Sequence, residues 1–77
     1  MAHRPNINIE TIGKNLKKFR INNNYSVKEI CDYLGYGSVQ AVYKFEKGVG
    51  LPQSENLLCL MHLYNISSDD LIYSNDE

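Results

Sequence analysis

Apolar side chains return every three or four positions through almost the whole chain, and each run is cut short by asparagine, glycine or proline. Such spacing places one stripe of each segment on one face of a helix, and the interruptions keep every helix to a few turns. The predicted fold is therefore all-α, with five short helices and no strand. Ile9, Ile12, Leu16, Phe19 and Ile21 mark the first, which opens at Asn8 or Ile9. Asn22-Asn23-Asn24 closes it, since asparagine tolerates the left-handed conformation and offers its amide to local backbone. Ser26 followed three residues on by Glu29 is a capping box. It starts a second helix carrying Val27, Ile30, Cys31 and Leu34, which Gly35 ends.

Ser38 is the expected cap of a third helix. Ala41, Val42 and Phe45 would face inward there, leaving Val39, Gln40, Tyr43, Lys44 and Lys47 on the outer side. Gly48, Gly50 and Pro52 punctuate a loop. From Gln53 or Ser54, the run Leu57, Leu58, Leu60, Met61 and Tyr64 builds a strongly apolar fourth helix closed by Asn65. Beside that core face it offers Cys59 and Leu63, a surplus expected either to lie under the fifth helix or to mediate self-association. Ser67 or Ser68, with Asp69 and Asp70, opens a fifth helix holding Leu71 and Ile72.

With 77 residues there is room for one domain. A flexible arm is expected over 1–8, where Pro5 discourages helix, then the helical domain over 9–73 and an acidic tail over 74–77. No apolar run approaches the roughly 18 residues that span a bilayer, so no membrane association is expected. No apolar stretch follows the charge of the first residues, and the expected location is the cytoplasm. Cys31 and Cys59 stand 28 positions apart in apolar segments and read as reduced core residues rather than a disulfide.

The formal charge of −1 argues against an indiscriminate polyanion binder, but its distribution is lopsided. Residues 1–48 hold all eight basic side chains against four acids, and residues 49–77 hold five acids and no base. That asymmetry points to nucleic acid on the basic side. Two short helices joined by a glycine-containing turn, the second with a polar outer face, match a helix-turn-helix whose second helix enters the major groove. A helix about 10 to 12 Å across suits a groove about 12 Å wide. Cys31 and Ala41 supply the small residues that let the two helices pack closely. Gln40 has the two-pronged amide that pairs with adenine's N6 and N7 edge, and Tyr43 and Lys44 lie one turn further on. Lys17, Lys28 and Lys47 suit phosphates, which position a protein without reading sequence.

These segments resemble the Cro/repressor-type, or Xre-family, helix-turn-helix regulators with the lambda-repressor-like five-helix fold. The resemblance spans residues 12–72 and is carried by Ile12-Gly13 through Arg20, by Ser26 to Gly35, and by the run Gln40-Ala41-Val42-Tyr43-Lys44-Phe45-Glu46-Lys47-Gly48 with Leu51-Pro52 after it. Glu55-Asn56-Leu57-Leu58 and Ile66 to Ile72 complete it. It implies base contacts from Val39, Gln40, Tyr43 and Lys44, and phosphate contacts from Lys17, Arg20, Ser26, Lys28, Ser38 and Lys47. It also implies a structural ion pair between Arg20 and Glu46. Two departures stand out: Val27 replaces the glutamine that opens the second helix in many members, leaving Ser26 or Lys28 to meet that phosphate, and the turn at Tyr36-Gly37-Ser38 is one residue longer.

The function so implied is sequence-specific binding of double-stranded DNA by a transcriptional regulator, expected to be a repressor. It would act as a homodimer on an inverted-repeat operator, with Cys59, Leu63, Ile72 and Tyr73 at the dimer interface. The rival reading is an antitoxin-like or phage-type protein-interaction module that uses helix four and keeps a vestigial helix-turn-helix. No serine has a paired base, no carboxylates pair at a defined spacing, and no glycine-rich phosphate loop is present, so no enzymatic activity is expected. No metal ligation, cofactor or small-molecule ligand is expected, because His3 and His62 share no ligand spacing with either cysteine.

Overall fold

The computed structural model describes residues 2–74, which form five helices and no strand. These are α1 (Ile9–Asn22), α2 (Val27–Leu34), α3 (Gln40–Glu46), α4 (Ser54–Tyr64) and α5 (Ser68–Ile72). Residues 2–8 carry no helix, and residues 75–77 of the expected acidic tail lie outside the described residues. No described helix is long and apolar enough to cross a membrane.

Side chains set most of the boundaries. The Asn8 side-chain oxygen accepts from the amides of Glu10 at 2.9 Å and Thr11 at 3.2 Å, two of the donors that a helix start leaves unpaired. At the other end Asn24 takes a left-handed φ of 63°. The capping box of α2 is complete: the Ser26 amide donates to Glu29 Oε1 at 2.9 Å and the Glu29 amide to Ser26 Oγ at 3.0 Å. Gly35 closes α2 at φ 75° and Asn65 closes α4 at φ 56°. The start of α3 differs from the sequence expectation. Val39 occupies the cap position with no acceptor of its own, and Ser38 Oγ instead accepts the Gln40 amide from one residue further out, at 3.2 Å.

Leu16, Ile30, Val42 and Leu60 are the fully buried heart of the core, joined by Ile12, Cys31, Phe45, Tyr64 and Leu71. α1 packs on α3 and α5, and α2 on α3. The closest approach is at Gly13, where a Cβ would stand 2.4 Å from the carbonyl oxygen of Phe45 and 2.9 Å from that of Glu46. The end of α3 thus rests directly on the backbone of α1. Asn15, also buried, donates through Nδ2 to the carbonyls of Leu71 at 2.8 Å and Tyr73 at 2.9 Å, fastening the last helix to the first.

Three apolar assignments are corrected. Ile21 is 53% exposed, because the inward face of α1 passes from Leu16 to Arg20 at its last turn. Leu58, expected in the core run, is 65% exposed, since Leu57, Leu60, Met61 and Tyr64 already fill the inward arc of α4. Ile9, expected on the inward stripe of α1, is 38% exposed at the helix's first position. Of the surplus residues of α4, Leu63 is half-buried against the core, and the carbonyl of Cys59 accepts from Tyr33 Oη of α2 at 3.0 Å.

Tyr64 supplies a test of the core. Its hydroxyl is buried with no hydrogen-bond partner among the described residues, and burial, reinforced by the nearby Glu46 carboxylate, pushes the phenol pKa well above its usual value. The folded state therefore resists ionisation of Tyr64, so its contribution is whole below about pH 10 and is lost as the pH climbs past that point. Tyr64→Phe removes the unpaired oxygen. It is expected to hold or raise stability by about 1 kcal/mol at neutral pH and to flatten the alkaline fall in Tm, both read by thermal melts at pH 7 to 11.

Candidate nucleic-acid interface

α3 begins one residue after Val39, and its sequence decides which side chains remain outside. Val42 and Phe45 are buried, three positions apart, which turns Gln40, Tyr43, Lys44 and Lys47 to the surface at helical spacing. All four are exposed and form one stripe. Val39 does not join them as expected: it is half-buried and packs against the core, because the chain is still entering the helix there.

Behind the stripe stands Arg20. Its Nε donates to Glu46 Oε2 at 2.8 Å and Nη2 to Oε1 at 3.2 Å, a two-pronged pair whose side chains are only 11% and 4% exposed. The Glu46 carboxylate raises the guanidinium pKa, outweighing the opposing effect of burial. Nη1 donates to the carbonyl of Tyr25 at 2.9 Å. One guanidinium thus ties the end of α1, the end of α3 and the residue preceding the α2 cap. Ser26 and Lys47 directly follow in sequence the two residues, Tyr25 and Glu46, that this charge joins.

The other basic candidates are distributed around this centre. Lys17, with Lys14 and Lys18, lines a cleft of about 460 Å³ on α1 that Glu46 closes. Lys44 leans to the opposite flank of α3, where Tyr36, Ala41 and the segment 49–53 bound a second cleft of about 450 Å³. Lys28 is fully exposed and bonded to Asp32 at 2.7 Å, which raises its pKa, so a phosphate would have to compete with that carboxylate. The turn is braced by two contacts: Cys31 Sγ donates to the Tyr36 carbonyl at 3.4 Å, and Asn56 Nδ2 to Tyr36 Oη at 3.1 Å. Ile72, the last residue of α5, is half-buried, and Tyr73, which follows it, is exposed.

Sequence reasoning overlooked two residues that position this surface. Gly13 lets α3 approach α1, and a lone glycine within a helical pattern is the signal for such an approach. Asn15 is a polar residue inside an apolar stripe, which marks a buried hydrogen bond.

Two short helices at a braced turn, the second with an exposed polar stripe, define a helix-turn-helix unit. The family profile described as helix-turn-helix matches residues 16–71, and the chain belongs to that family of DNA-binding transcriptional regulators. Two solved structures share the fold. The SOS-response transcriptional repressor LexA from Eubacterium rectale superposes with a TM-score of 0.77 at 22% identity, covering 96% of this chain and 78% of that one. The clp gene regulator ClgR from C. glutamicum gives a TM-score of 0.72 at 21% identity, covering 92% and 90%. No curated protein matches the sequence significantly.

Proposed function

We propose that this chain is a sequence-specific binder of double-stranded DNA that represses transcription by occupying its operator. The observation that carries this reading is the exposed stripe Gln40, Tyr43, Lys44 and Lys47 on a helix whose other face is fixed by Gly13 and by the Arg20–Glu46 pair. Gln40 lies at the start of the helix, the part that reaches base edges when a recognition helix enters the major groove. Tyr43 and Lys44 extend the reading one turn further. Lys17, Lys47, Ser26 and Ser38 hold phosphates around it, with Lys28 available once released from Asp32. The two structural neighbours are regulators by name, which points the same way.

One short helix contacts too few base pairs for specificity in a genome, so two chains on half-sites about 34 Å apart are the natural assembly. In this reading residues 9–73 are the DNA-binding unit, and Leu58, the most exposed leucine of α4, joins Ile72 and Tyr73 in the dimer contact. The operator can be selected from a random pool of duplexes and binding then followed by anisotropy, with stoichiometry read by sedimentation. Gln40→Ala is expected to cost about 1 to 3 kcal/mol on the selected operator and little on random duplex. Equal weakening on both would remove Gln40 as a reader, and an unenriched pool would sink the function itself.

A further inference from the structure

We propose that Asn56 of α4 is a specificity-determining positioning residue, which holds Tyr36 in the turn between α2 and α3 and so fixes the tilt at which α3 presents Gln40 to base edges; this rests on the DNA-binding reading above. The need for such a hold follows from the two ends of α3. Its last turn is clamped on α1, by the close approach at Gly13 and by the pairing of Glu46 with Arg20. Its first turn is held in the core by Val42, but Val39 offers no side-chain cap, and the chain before it reads Gly35-Tyr36-Gly37-Ser38. A Cβ at either glycine would meet nothing within 4 Å. Two glycines with open space around them leave a backbone that its own packing does not immobilise.

Tyr36 is the anchor of that turn. Its amide donates to the Cys31 carbonyl at 3.0 Å, and its own carbonyl accepts from Cys31 Sγ at 3.4 Å. Both bonds return to α2, so alone they would let the turn ride with that helix. The bond from Asn56 Nδ2 to Tyr36 Oη, at 3.1 Å, reaches across 20 positions and refers the turn to α4 as well. Both residues are half-buried. Tyr36 packs against the core and borders the same cleft as Ala41 and Lys44, so a shift of its ring is met on the flank of α3.

Small movements matter at this end. The 7 residues of α3 are about 10 Å long, so a tilt of about 10° around the clamped last turn moves Gln40 by about 2 Å. A two-pronged contact from an amide to adenine needs both bonds within roughly 2.7–3.2 Å, and such a displacement breaks it. Lys17 on α1 and Lys47 beside the clamped end, which meet phosphates in this reading, move little with the tilt. Asn56 therefore bears on discrimination between bases rather than on total affinity.

The experiment uses the full chain and an operator selected from random duplexes. Affinity is measured on that operator, on each of its single base-pair substitutions and on random duplex, for the unaltered protein, Gln40→Ala, Tyr36→Phe, Asn56→Ala and Asn56→Asp. Tyr36→Phe keeps the ring and removes only the acceptor. Tyr36→Phe and Asn56→Ala are each expected to lose about threefold to tenfold of the discrimination at the base pairs that Gln40→Ala identifies, with random-duplex affinity and its salt slope unchanged. Combining the two should add little, since both remove one bond. Asn56→Asp should restore the profile, because the Tyr36 hydroxyl can donate its own proton to a carboxylate, and should fail to do so beside Tyr36→Phe. If operator and random duplex weaken equally, if Tm falls while the profile stays, or if Gln40→Ala spares every base pair, Asn56 does not position a reader and the function stands. If the unaltered protein selects no operator, the DNA-binding reading and the role of Asn56 fall together.

Discussion

Gly13→Ala is expected to lower Tm by roughly 10–20 °C, the largest effect of any single methyl group in this chain. The new carbon would sit 2.4 Å from one carbonyl oxygen, 2.9 Å from a second and 3.0 Å from the Gly48 nitrogen. All three are backbone atoms at the end of α3, and no rotamer change relieves them. α3 would have to lift from α1, with an overpacking cost of about 3 kcal/mol and a displaced outer stripe. Gly37→Ala is the control, since nothing lies within 4 Å of a Cβ there and its φ is not positive. Melts followed by circular dichroism compare the two. An alanine at position 13 that left Tm unchanged would mean that α1 and α3 do not meet as closely as described.

Breaking the buried ion pair is the second large effect. Arg20→Ala leaves the Glu46 carboxylate in a site only 4% exposed and also removes the donor to the Tyr25 carbonyl. A cost of about 3 to 4 kcal/mol is expected for a charge left unpaired in such a place. Glu46→Ala should cost somewhat less, because Arg20 keeps Tyr25 and retains part of its access to solvent. The double variant is expected to be more stable than the sum of the two losses predicts, with a coupling of about 1 to 3 kcal/mol in the cycle. Chemical denaturation of the four proteins measures it, and strict additivity would show that the two groups contribute independently. DNA binding should fall in both single variants and stay low in the double, since apolar contact does not restore the link between α1, α2 and α3.

Much of this architecture was legible from the residues because caps are local. Asn8, the Ser26 and Glu29 box, Gly35, Asn65 and the Ser67 to Asp70 pair each act within a few residues, so spacing alone locates the helix ends. The outer stripe of α3 was also legible, since Val42 and Phe45 fix its phase. What the sequence hid depends on partners far along the chain. Leu58 and Leu63 lie on opposite flanks of the α4 core face, and only the placement of α2 and Tyr33 decides that Leu63 is covered and Leu58 is not. Val39 is apolar and sits one residue outside α3, where helical phase no longer says which way a side chain turns. Tyr64 gave no hint of its unpaired hydroxyl, because its neighbours Arg20, Glu46 and Tyr25 come from three other parts of the chain.

The hold of Asn15 on the carbonyls of Leu71 and Tyr73 also orders events in time. During translation α1 emerges before the other four helices, yet its Asn15 amide can exchange water for its native carbonyl partners only when a segment 56 to 58 positions later has left the ribosome. Local helices form within microseconds, whereas synthesis proceeds at about 5 to 20 residues per second, so α1 waits for seconds with its core face open. α2, α3 and α4 can gather on that face meanwhile, but the closing step belongs to the last helix. The domain therefore completes itself only after nearly all of this sequence has been made, and a message cut short before α5 yields a chain whose third helix has no finished scaffold to stand on.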